Sequence, residues 1–283
     1  MNEILLSPAV LGSLGAALAG LLDVAADRFR VVESPLIGFV EEELPGANCG
    51  NCGQPGCRAF AEQLVQSMDP DMYCPPGGPD LAKELAGILG MEAVEREVPV
   101  AVVMCRGTTA QAEHAGEYVG VNECLAAVVV GGTSKLCPFG CVGFGSCVAA
   151  CRFDGISVRD GVAQVDEELC VGCGECVSVC PLDLIELLPR ERRVFAACKS
   201  LDSGRVARKI CAVGCIGCRK CLKPCPEGAI RCEGALAVID PAACSACGAC
   251  IETCPQDTIL GVRVVPTGVL AASDGAAEVG KAP

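Results

Sequence analysis

The 283-residue sequence is poor in aromatic and imidazole side chains, with no tryptophan, two tyrosines, seven phenylalanines and one histidine. Aromatic residues supply much of the buried area of large cores. Their scarcity therefore excludes a single large aromatic core and favours two or three small domains held together by other means. The one histidine, His114, is expected to lie at the surface or in a loop.

Sequence motifs for nucleotide binding are also missing. There is no Walker loop and no G-x-G-x-x-G between a strand and a helix, and the glycines from Gly12 to Gly20 lie in an apolar segment. The net charge of −13 disfavours contact with the phosphates of a nucleic acid. We therefore expect no nucleotide site, no nucleic-acid partner and no residue that makes or breaks substrate bonds.

Cysteine, in contrast, is abundant, with 25 residues in the chain. Disulfides or metal ligation would each explain so many cysteines, and the spacing between them distinguishes the two. Three runs follow C-x2-C-x2-C-x3-C-P, the spacing with which bacterial ferredoxins bind [4Fe–4S] clusters. The runs are Cys170, Cys173, Cys176 and Cys180, then Cys215, Cys218, Cys221 and Cys225, and then Cys244, Cys247, Cys250 and Cys254.

The cysteine pattern is duplicated within the chain. A shift of 74 residues places the cysteines of 198–254 on those of 124–180, and the main exception is Cys218, which falls on Phe144. Such a repeat predicts two tandem ferredoxin units with two clusters each. Each unit also contains a hairpin signal, with Asp160-Gly161 and Glu233-Gly234 at the two turns.

The ligand sets follow from the rule that the fourth cysteine of each run binds the other cluster of its unit. Three complete sets result: Cys151, Cys170, Cys173 and Cys176; Cys215, Cys218, Cys221 and Cys254; and Cys225, Cys244, Cys247 and Cys250.

The remaining set of the first unit lacks one ligand because Phe144 replaces a cysteine. Cys137 lies four residues before Cys141, and a loop could bring its sulfur into the site. We therefore predict a set of Cys137, Cys141, Cys147 and Cys180. The alternative is a [3Fe–4S] centre held by three cysteines.

Nearer the amino terminus, the glycine-rich segment 44–57, "LPGANCGNCGQPGC", carries three more cysteines. Glycines let backbone N–H groups approach sulfur closely, as a tightly wrapped cluster loop requires. We predict a [4Fe–4S] site here. Zinc is the alternative, because four thiolates would suit it equally well. The ligands of the site would be Cys49, Cys52, Cys57 and Cys74.

Five such sites use twenty cysteines and leave five over. One interpretation is that the five are small buried residues. The other is that four of them meet as a sixth cluster between the two ferredoxin units. The five are Cys105, Cys124, Cys198, Cys211 and Cys232, of which the first four would form that cluster.

The amino-terminal segment 4–22 contains no charged residue and numbers 19, enough to cross a bilayer as a helix. Arg28 and Arg30 follow it and would place the rest of the chain on the cytoplasmic side of the inner membrane. A secretory signal is the alternative, but Glu3 and the lack of a basic residue before the apolar segment disfavour it. We predict an uncleaved membrane anchor.

The predicted fold class is α+β, with short helices and β-hairpins in the ferredoxin units. The predicted domain boundaries are 1–27 for the anchor, 28–95 for the four-cysteine domain, 96–123 for a connecting strand and linker, 124–190 and 191–262 for the two units, and 263–283 for a flexible tail.

Taken in order, the anchor, "LPGANCGNCGQPGC", "GCVGFGSC" and "GCIGCRKC" resemble the B subunit of the Rnf complex, a membrane-bound ferredoxin:NAD oxidoreductase coupled to ion translocation. The chain is similar to the longer type, which carries two tandem two-cluster ferredoxin units. The resemblance implies an electron-transfer subunit that receives electrons from soluble ferredoxin and relays them to partner subunits. The flavin, nicotinamide and ion sites would then lie in those partners.

Two other functions remain open at this point. One is a polyferredoxin-like subunit of a membrane hydrogenase or formate-oxidising complex, and the other is a free-standing electron store.

One segment of this acidic chain is strongly basic. Ten basic residues minus two acidic ones, Glu191 and Asp202, leave +8 over 190–223. Because ferredoxins are acidic, this segment is a candidate docking surface; neutralising nearby clusters or binding an acidic subunit is the alternative. The basic residues are Arg190, Arg192, Arg193, Lys199, Arg205, Arg208, Lys209, Arg219, Lys220 and Lys223.

Overall fold

The computed structural model describes residues 2–29, 33–131 and 133–262. One long helix, several short helices and two-stranded antiparallel sheets form the regular structure of the described chain, which agrees with the α+β class. The tail that we predict to be flexible, 263–283, lies outside the described residues.

The first helix, α1 (Asn2–Arg28), covers the whole predicted anchor. No helix in the described part of the chain is long and apolar enough to cross a membrane, so the predicted membrane span is not confirmed. The described side chains of α1 begin at Leu11 and include the charges of Asp23, Asp27 and Arg28, which interrupt its apolar character.

Three helices form the four-cysteine domain: α2 (Pro35–Glu43), α3 (Cys57–Ser67) and α4 (Gly78–Leu89). They are amphipathic, and their apolar faces meet in one core. The cysteines Cys52, Cys57 and Cys74 pack against this core, so the helices hold the cysteine loop on their surface. The core consists of Ile37, Val40, Leu44, Phe60, Ala61, Leu64, Leu81, Leu85 and Leu89.

The first ferredoxin unit is closed by an antiparallel pair of strands, β1 (Pro99–Val103) and β4 (Ile185–Pro189), which lie far apart in the sequence. We predicted β1 as part of a connection, whereas its pairing with β4 makes it the first strand of the unit. Between them lie α5 (Cys124–Val129), α6 (Ser146–Ala150), β2 (Ile156–Arg159), β3 (Val162–Val165) and α7 (Glu175–Ser178).

The second unit repeats this plan. Its outer strands β5 (Arg193–Ala196) and β8 (Ile259–Val262) pair antiparallel. The elements between them are α8 (Gly204–Ile210), a 3-10 turn at Lys220–Leu222, β6 (Ile230–Glu233), β7 (Leu236–Ile239) and α9 (Ala249–Thr253).

Both predicted hairpins form, but their turns differ. Asp160 and Gly161, with φ of 49° and 71°, join β2 to β3 as a turn with two left-handed residues requires. In the second unit Glu233 belongs to β6, where it pairs with Leu236. The turn is therefore Gly234-Ala235 rather than the predicted Glu233-Gly234.

The segment 108–115 joins the two units. The backbone N–H of Glu113 donates to the carbonyl oxygen of Ile210 (2.8 Å), and the carbonyl oxygen of Glu113 accepts the N–H of Leu136 (2.8 Å). Ala112 pairs with Cys211, and His114 pairs with Lys135. His114 is exposed, as expected. Backbone hydrogen bonds thus tie this segment to the loop before Cys137 in one unit and to the end of α8 in the other.

Gly172, inside a cysteine run, lies against β1. Its φ is +67°, and an added Cβ would collide with the carbonyl oxygen of Pro99 and lie 2.8 Å from Pro99 Cγ. We predict that Gly172→Ala costs ~1–2 kcal/mol for the left-handed backbone and a further ~1–3 kcal/mol for overpacking.

Gly228→Ala is the matched control, because Gly228 has φ +61° with nothing within 4 Å of the added Cβ. Anaerobic thermal unfolding should show a clearly larger fall in Tm for Gly172→Ala than for Gly228→Ala. Equal shifts in Tm would mean that the contact with β1 does not constrain the loop.

Candidate iron–sulfur centres

The cysteines of the amino-terminal domain, which we predict as one ligand set, lie together. Burial raises the pKa of Cys74, and the neighbouring thiols of Cys52, Cys49 and Cys57 raise it further. Because each of these three thiols acts on Cys74, and Cys52, Cys57 and Cys74 pack against the same core, the four cysteines lie near one another.

Two asparagines shape the loop around this site. Asn48 has a left-handed backbone (φ 46°), and its Oδ1 accepts the backbone N–H of Cys57 at 2.8 Å. The side-chain amide of Asn51 is buried, and no residue in the described ranges forms a hydrogen bond with it. A buried polar group of this kind normally has a partner, and the sulfurs of a bound cluster would accept its N–H groups.

In the first unit, Cys151, Cys170, Cys173 and Cys176 line one cavity. In the second unit, Cys215, Cys218, Cys221 and Cys254 line another, with Cys232 also in its wall.

In the other set of the second unit, the effect of neighbouring thiols on the pKa of Cys250 shows which cysteines lie near it. Burial raises the pKa of Cys250 to about 11, and the thiols of Cys244, Cys247 and Cys225 are among the groups that raise it further. Three predicted sets of the ferredoxin units are thus brought together, each with a cysteine from the other run of its unit.

The incomplete set differs from our prediction. Cys141, Cys147 and Cys180 line a cavity whose fourth cysteine is Cys124. The same placement is seen in the electrostatics, since Cys141, Cys124 and Cys180 all raise the pKa of Cys147. Cys137, which we predicted here, does not line this cavity, so its predicted placement is corrected.

The reason for this exchange is the docking of α5. The helix begins at Cys124, whose backbone N–H donates to Ser146 Oγ at 3.0 Å. Phe144 packs against the small core of Cys124, Ala127 and Val142, and its ring centroid lies 5.2 Å from that of Tyr118. The side chain that replaces the missing cysteine therefore helps to hold α5, which supplies a cysteine from elsewhere.

Cys137 instead lines a cavity between the two units together with Cys105, Cys198 and Cys211. We predicted the last three of these in a sixth site with Cys124. Compared with the two predicted sets, Cys124 and Cys137 have therefore changed places: Cys124 lies in the first unit's cavity and Cys137 in the cavity between the units. No spacing rule in the sequence predicted this exchange, because Cys124 and Cys137 both have counterparts in the second copy, Cys198 and Cys211.

None of the 25 cysteines, all of which lie in the described ranges, forms a disulfide. Within the described ranges no three His, Cys, Asp or Glu side chains are grouped as a site for one metal ion; the cysteines instead line cavities. Burial raises the pKa of Cys176 and Cys221 to about 12. Thiolates this costly to form need a compensating positive charge, and the iron of a cluster ligated by four cysteines supplies it.

Family models match three segments of the chain. The Fe–S cluster family matches residues 44–76, the 4Fe-4S binding domain matches 163–186, and the 4Fe-4S dicluster domain matches 207–255. These matches agree with the predicted [4Fe–4S] clusters, and each segment contains cysteines of the sets described above.

Curated relatives match most of the chain. The B subunit of the ion-translocating oxidoreductase complex of Methanosarcina acetivorans is 41% identical over 246 residues, 86% of this chain and 93% of the relative. The B subunit of the Na+-translocating ferredoxin:NAD+ oxidoreductase complex of Acetobacterium woodii is 40% identical, over 86% of this chain and 74% of the relative.

A third relative is the B subunit of the proton-translocating ferredoxin:NAD+ oxidoreductase complex of Clostridium ljungdahlii. It is 38% identical over 247 residues, 86% of this chain and 87% of the relative. The resemblance inferred from the cysteine motifs is therefore confirmed. The chain belongs to the B-subunit family of the ion-translocating oxidoreductase complexes.

Proposed function

We propose that this chain is an iron–sulfur electron-transfer subunit of an ion-translocating ferredoxin:NAD oxidoreductase complex. It receives electrons from reduced ferredoxin and relays them to partner subunits. The observation that carries this proposal is the gathering of twenty cysteines into five sets of four. Each of the four sets in the ferredoxin units includes a cysteine that is distant in the sequence, as the crossed ligation of two-cluster ferredoxins predicts.

The proposed ligand sets are the four cysteines of the amino-terminal domain and two sets in each ferredoxin unit. When bound, each [4Fe–4S] cluster takes up and releases single electrons. The sets are Cys49, Cys52, Cys57 and Cys74; Cys124, Cys141, Cys147 and Cys180; Cys151, Cys170, Cys173 and Cys176; Cys215, Cys218, Cys221 and Cys254; and Cys225, Cys244, Cys247 and Cys250.

The backbone around these sets is arranged to stabilise thiolates. Leu184 donates its N–H to Cys180 Sγ at 3.4 Å, and Ala246 donates to Cys244 Sγ at 3.4 Å. In the first unit Ala101 of β1 donates to Cys170 Sγ at 3.5 Å. Hydrogen bonds to sulfur favour the charged thiolate and tune the reduction potential of a bound cluster.

Ferredoxin is proposed to dock on the second unit. Four of the ten basic residues of 190–223 are engaged within the protein: Arg192, Arg193 and Lys199 form ion pairs, and Arg190 donates to backbone carbonyls. The other six are exposed, and none of them forms an ion pair with any residue of the described ranges. These six, Arg205, Arg208, Lys209, Arg219, Lys220 and Lys223, are called the basic surface.

The basic surface lies beside a proposed cluster site, since Arg219 lines the cavity of Cys215, Cys218, Cys221 and Cys254. A positive surface attracts an acidic donor and can raise its association rate by roughly 10 to 10³ at low salt. The attraction weakens when the Debye length shortens to about 8 Å at physiological ionic strength.

We predict that the double variant Arg219→Glu with Lys220→Glu slows reduction by ferredoxin several-fold at low salt. Its dependence on ionic strength should flatten, because the attractive field is removed, while its iron content stays unchanged. Stopped-flow reduction of the full-length protein by reduced ferredoxin at a series of salt concentrations measures both effects.

The matched control is Arg152→Glu with Arg159→Glu. Both arginines are exposed on the first unit, and the change in net charge is the same. If the control slows reduction as much as the test variant, net charge rather than the basic surface governs the encounter. An unchanged rate and salt slope in the fully loaded test variant would place the docking site elsewhere.

Attachment to the rest of the complex is proposed to occur through α1. Its leucines remain largely exposed, with Leu11 at 69% and Leu21 at 67%. Exposed apolar side chains on this scale are expected to be covered by partner subunits.

A further inference from the structure

We propose that Cys105, Cys137, Cys198 and Cys211 bind a sixth [4Fe–4S] cluster, which lies between the two ferredoxin units and connects them electronically. The proposal rests on the iron–sulfur function proposed above and adds a site to it. Its ligands belong to no ferredoxin run, and none of the family models that match the chain contains all four.

The first argument is the cavity that these cysteines share. It is lined by all four, in the same way as each cavity of the first unit is lined by the four cysteines of one set. The space between the units therefore presents the same four donors as those sites.

The second argument is the convergence of the sulfurs. A Cβ added at Gly107 would lie 3.2 Å from Cys211 Sγ and 4.0 Å from Cys105 Sγ. All four cysteines line the cavity that Gly107 also lines. The thiols of Cys105 and Cys211 therefore approach each other at Gly107, where a larger side chain would meet both.

The third argument comes from the duplication. Cys137 and Cys211 occupy the same position in the two copies, and each begins a turn closed by a glycine. Gly140 donates its N–H to Cys137 O at 3.2 Å, and Gly214 donates to Cys211 O at 3.5 Å. Both glycines line the cavity. The two copies thus present matching loops to one shared space.

The position of the cavity explains what a cluster there would do. Cys105 Sγ accepts the backbone N–H of Cys141 at 3.3 Å, and Cys141 belongs to a proposed site of the first unit. On the other side, Cys211 lies four residues before Cys215, a ligand of the second unit. The four cysteines therefore lie next to a ligand of each unit.

A buried cation offsets the negative charge that four thiolates would bring. Lys135 lines the cavity and has an exposed fraction of only 5%. Its Nζ donates to Cys141 O at 3.0 Å and to Gly161 O at 2.7 Å. Buried lysines require such compensation, and the anionic ligand set provides it.

Iron analysis of the anaerobically purified, full-length protein tests the proposal. Six clusters give about 24 iron atoms per chain, whereas five give about 20. A value near 24 with no zinc supports the sixth cluster. A value near 20, with or without one zinc atom per chain, overturns it but leaves the proposed function intact, and only a chain without clusters would overturn both.

Paired substitutions identify the ligands. We expect Cys137→Ser and Cys211→Ser each to lose iron, and the double variant to lose no more than the larger single loss, because both act on one cluster. Cys137→Ser with Cys124→Ser should lose the sum of the two single losses. Ser203→Ala is the control and should retain all iron, since Ser203 is exposed and lines none of the cysteine cavities described above.

The opposite pattern would overturn the assignment. If the losses of Cys137→Ser and Cys211→Ser add, the two cysteines bind different clusters. Electron paramagnetic resonance of the reduced variants provides a second measurement that does not depend on complete loading. The double variant should lack the same single signal as each single variant.

Discussion

Cys124→Ala is expected to destroy one [4Fe–4S] centre, although Cys124 lies outside every ferredoxin run. The thiol shares a cavity with Cys141, Cys147 and Cys180, and Phe144 cannot replace it as a ligand. Between about one and four iron atoms should be lost, depending on whether a [3Fe–4S] centre survives on three cysteines. Iron analysis and electron paramagnetic resonance of the oxidised protein distinguish these products.

A second substitution should reverse this loss. Phe144→Cys recreates the spacing C-x2-C-x2-C-x3-C from Cys141 to Cys151, so that the new cysteine would complete a ligand set with Cys141, Cys147 and Cys180. We expect the double variant Cys124→Ala with Phe144→Cys to regain full iron content. It should unfold at a lower temperature, since the packing of Phe144 on Tyr118 is lost. A fully loaded Cys124→Ala single variant would contradict the assignment of Cys124.

The exchange of ligands between runs should produce an equally large effect. Cys225 follows Cys218 in sequence but lies near Cys244, Cys247 and Cys250. We predict that Cys225→Ala with Cys247→Ala loses one cluster, about four iron atoms, whereas Cys225→Ala with Cys218→Ala loses two, about eight. Iron analysis of the two double variants compares the predictions directly.

These two double variants are well matched, because Cys218 and Cys247 occupy the same position in their runs and both are exposed. Equal iron losses in the two variants would contradict the crossed ligation. A larger loss with Cys247→Ala than with Cys218→Ala would mean that each run binds its own cluster.

The sequence predicts the regular parts of the ferredoxin units well. The 74-residue repeat and the crossing rule gave sets whose cysteines lie together in the structure, and alternating residues around Asp160-Gly161 gave the hairpin of β2 and β3. These features depend on the spacing of residues along the chain, and a single sequence is enough to show that spacing. Their roles as ligands remain predictions until iron is measured.

The placement of Cys124 and Cys137 could not be predicted because tertiary packing determines it. Proximity to Cys141 favoured Cys137, but the chain turns at Gly140 and directs Cys137 towards the second unit. Cys124 reaches the first unit because Phe144 and Val142 hold α5. The pairing of β1 with β4 is another long-range contact that has no local signal.

The most direct measurement of the central claim is the number of electrons that the fully loaded chain accepts from excess reduced ferredoxin in an anaerobic titration. One electron per cluster predicts an uptake of about six electrons per chain, with the visible absorbance bleaching in step. No uptake by a fully loaded protein would contradict the proposed relay from ferredoxin.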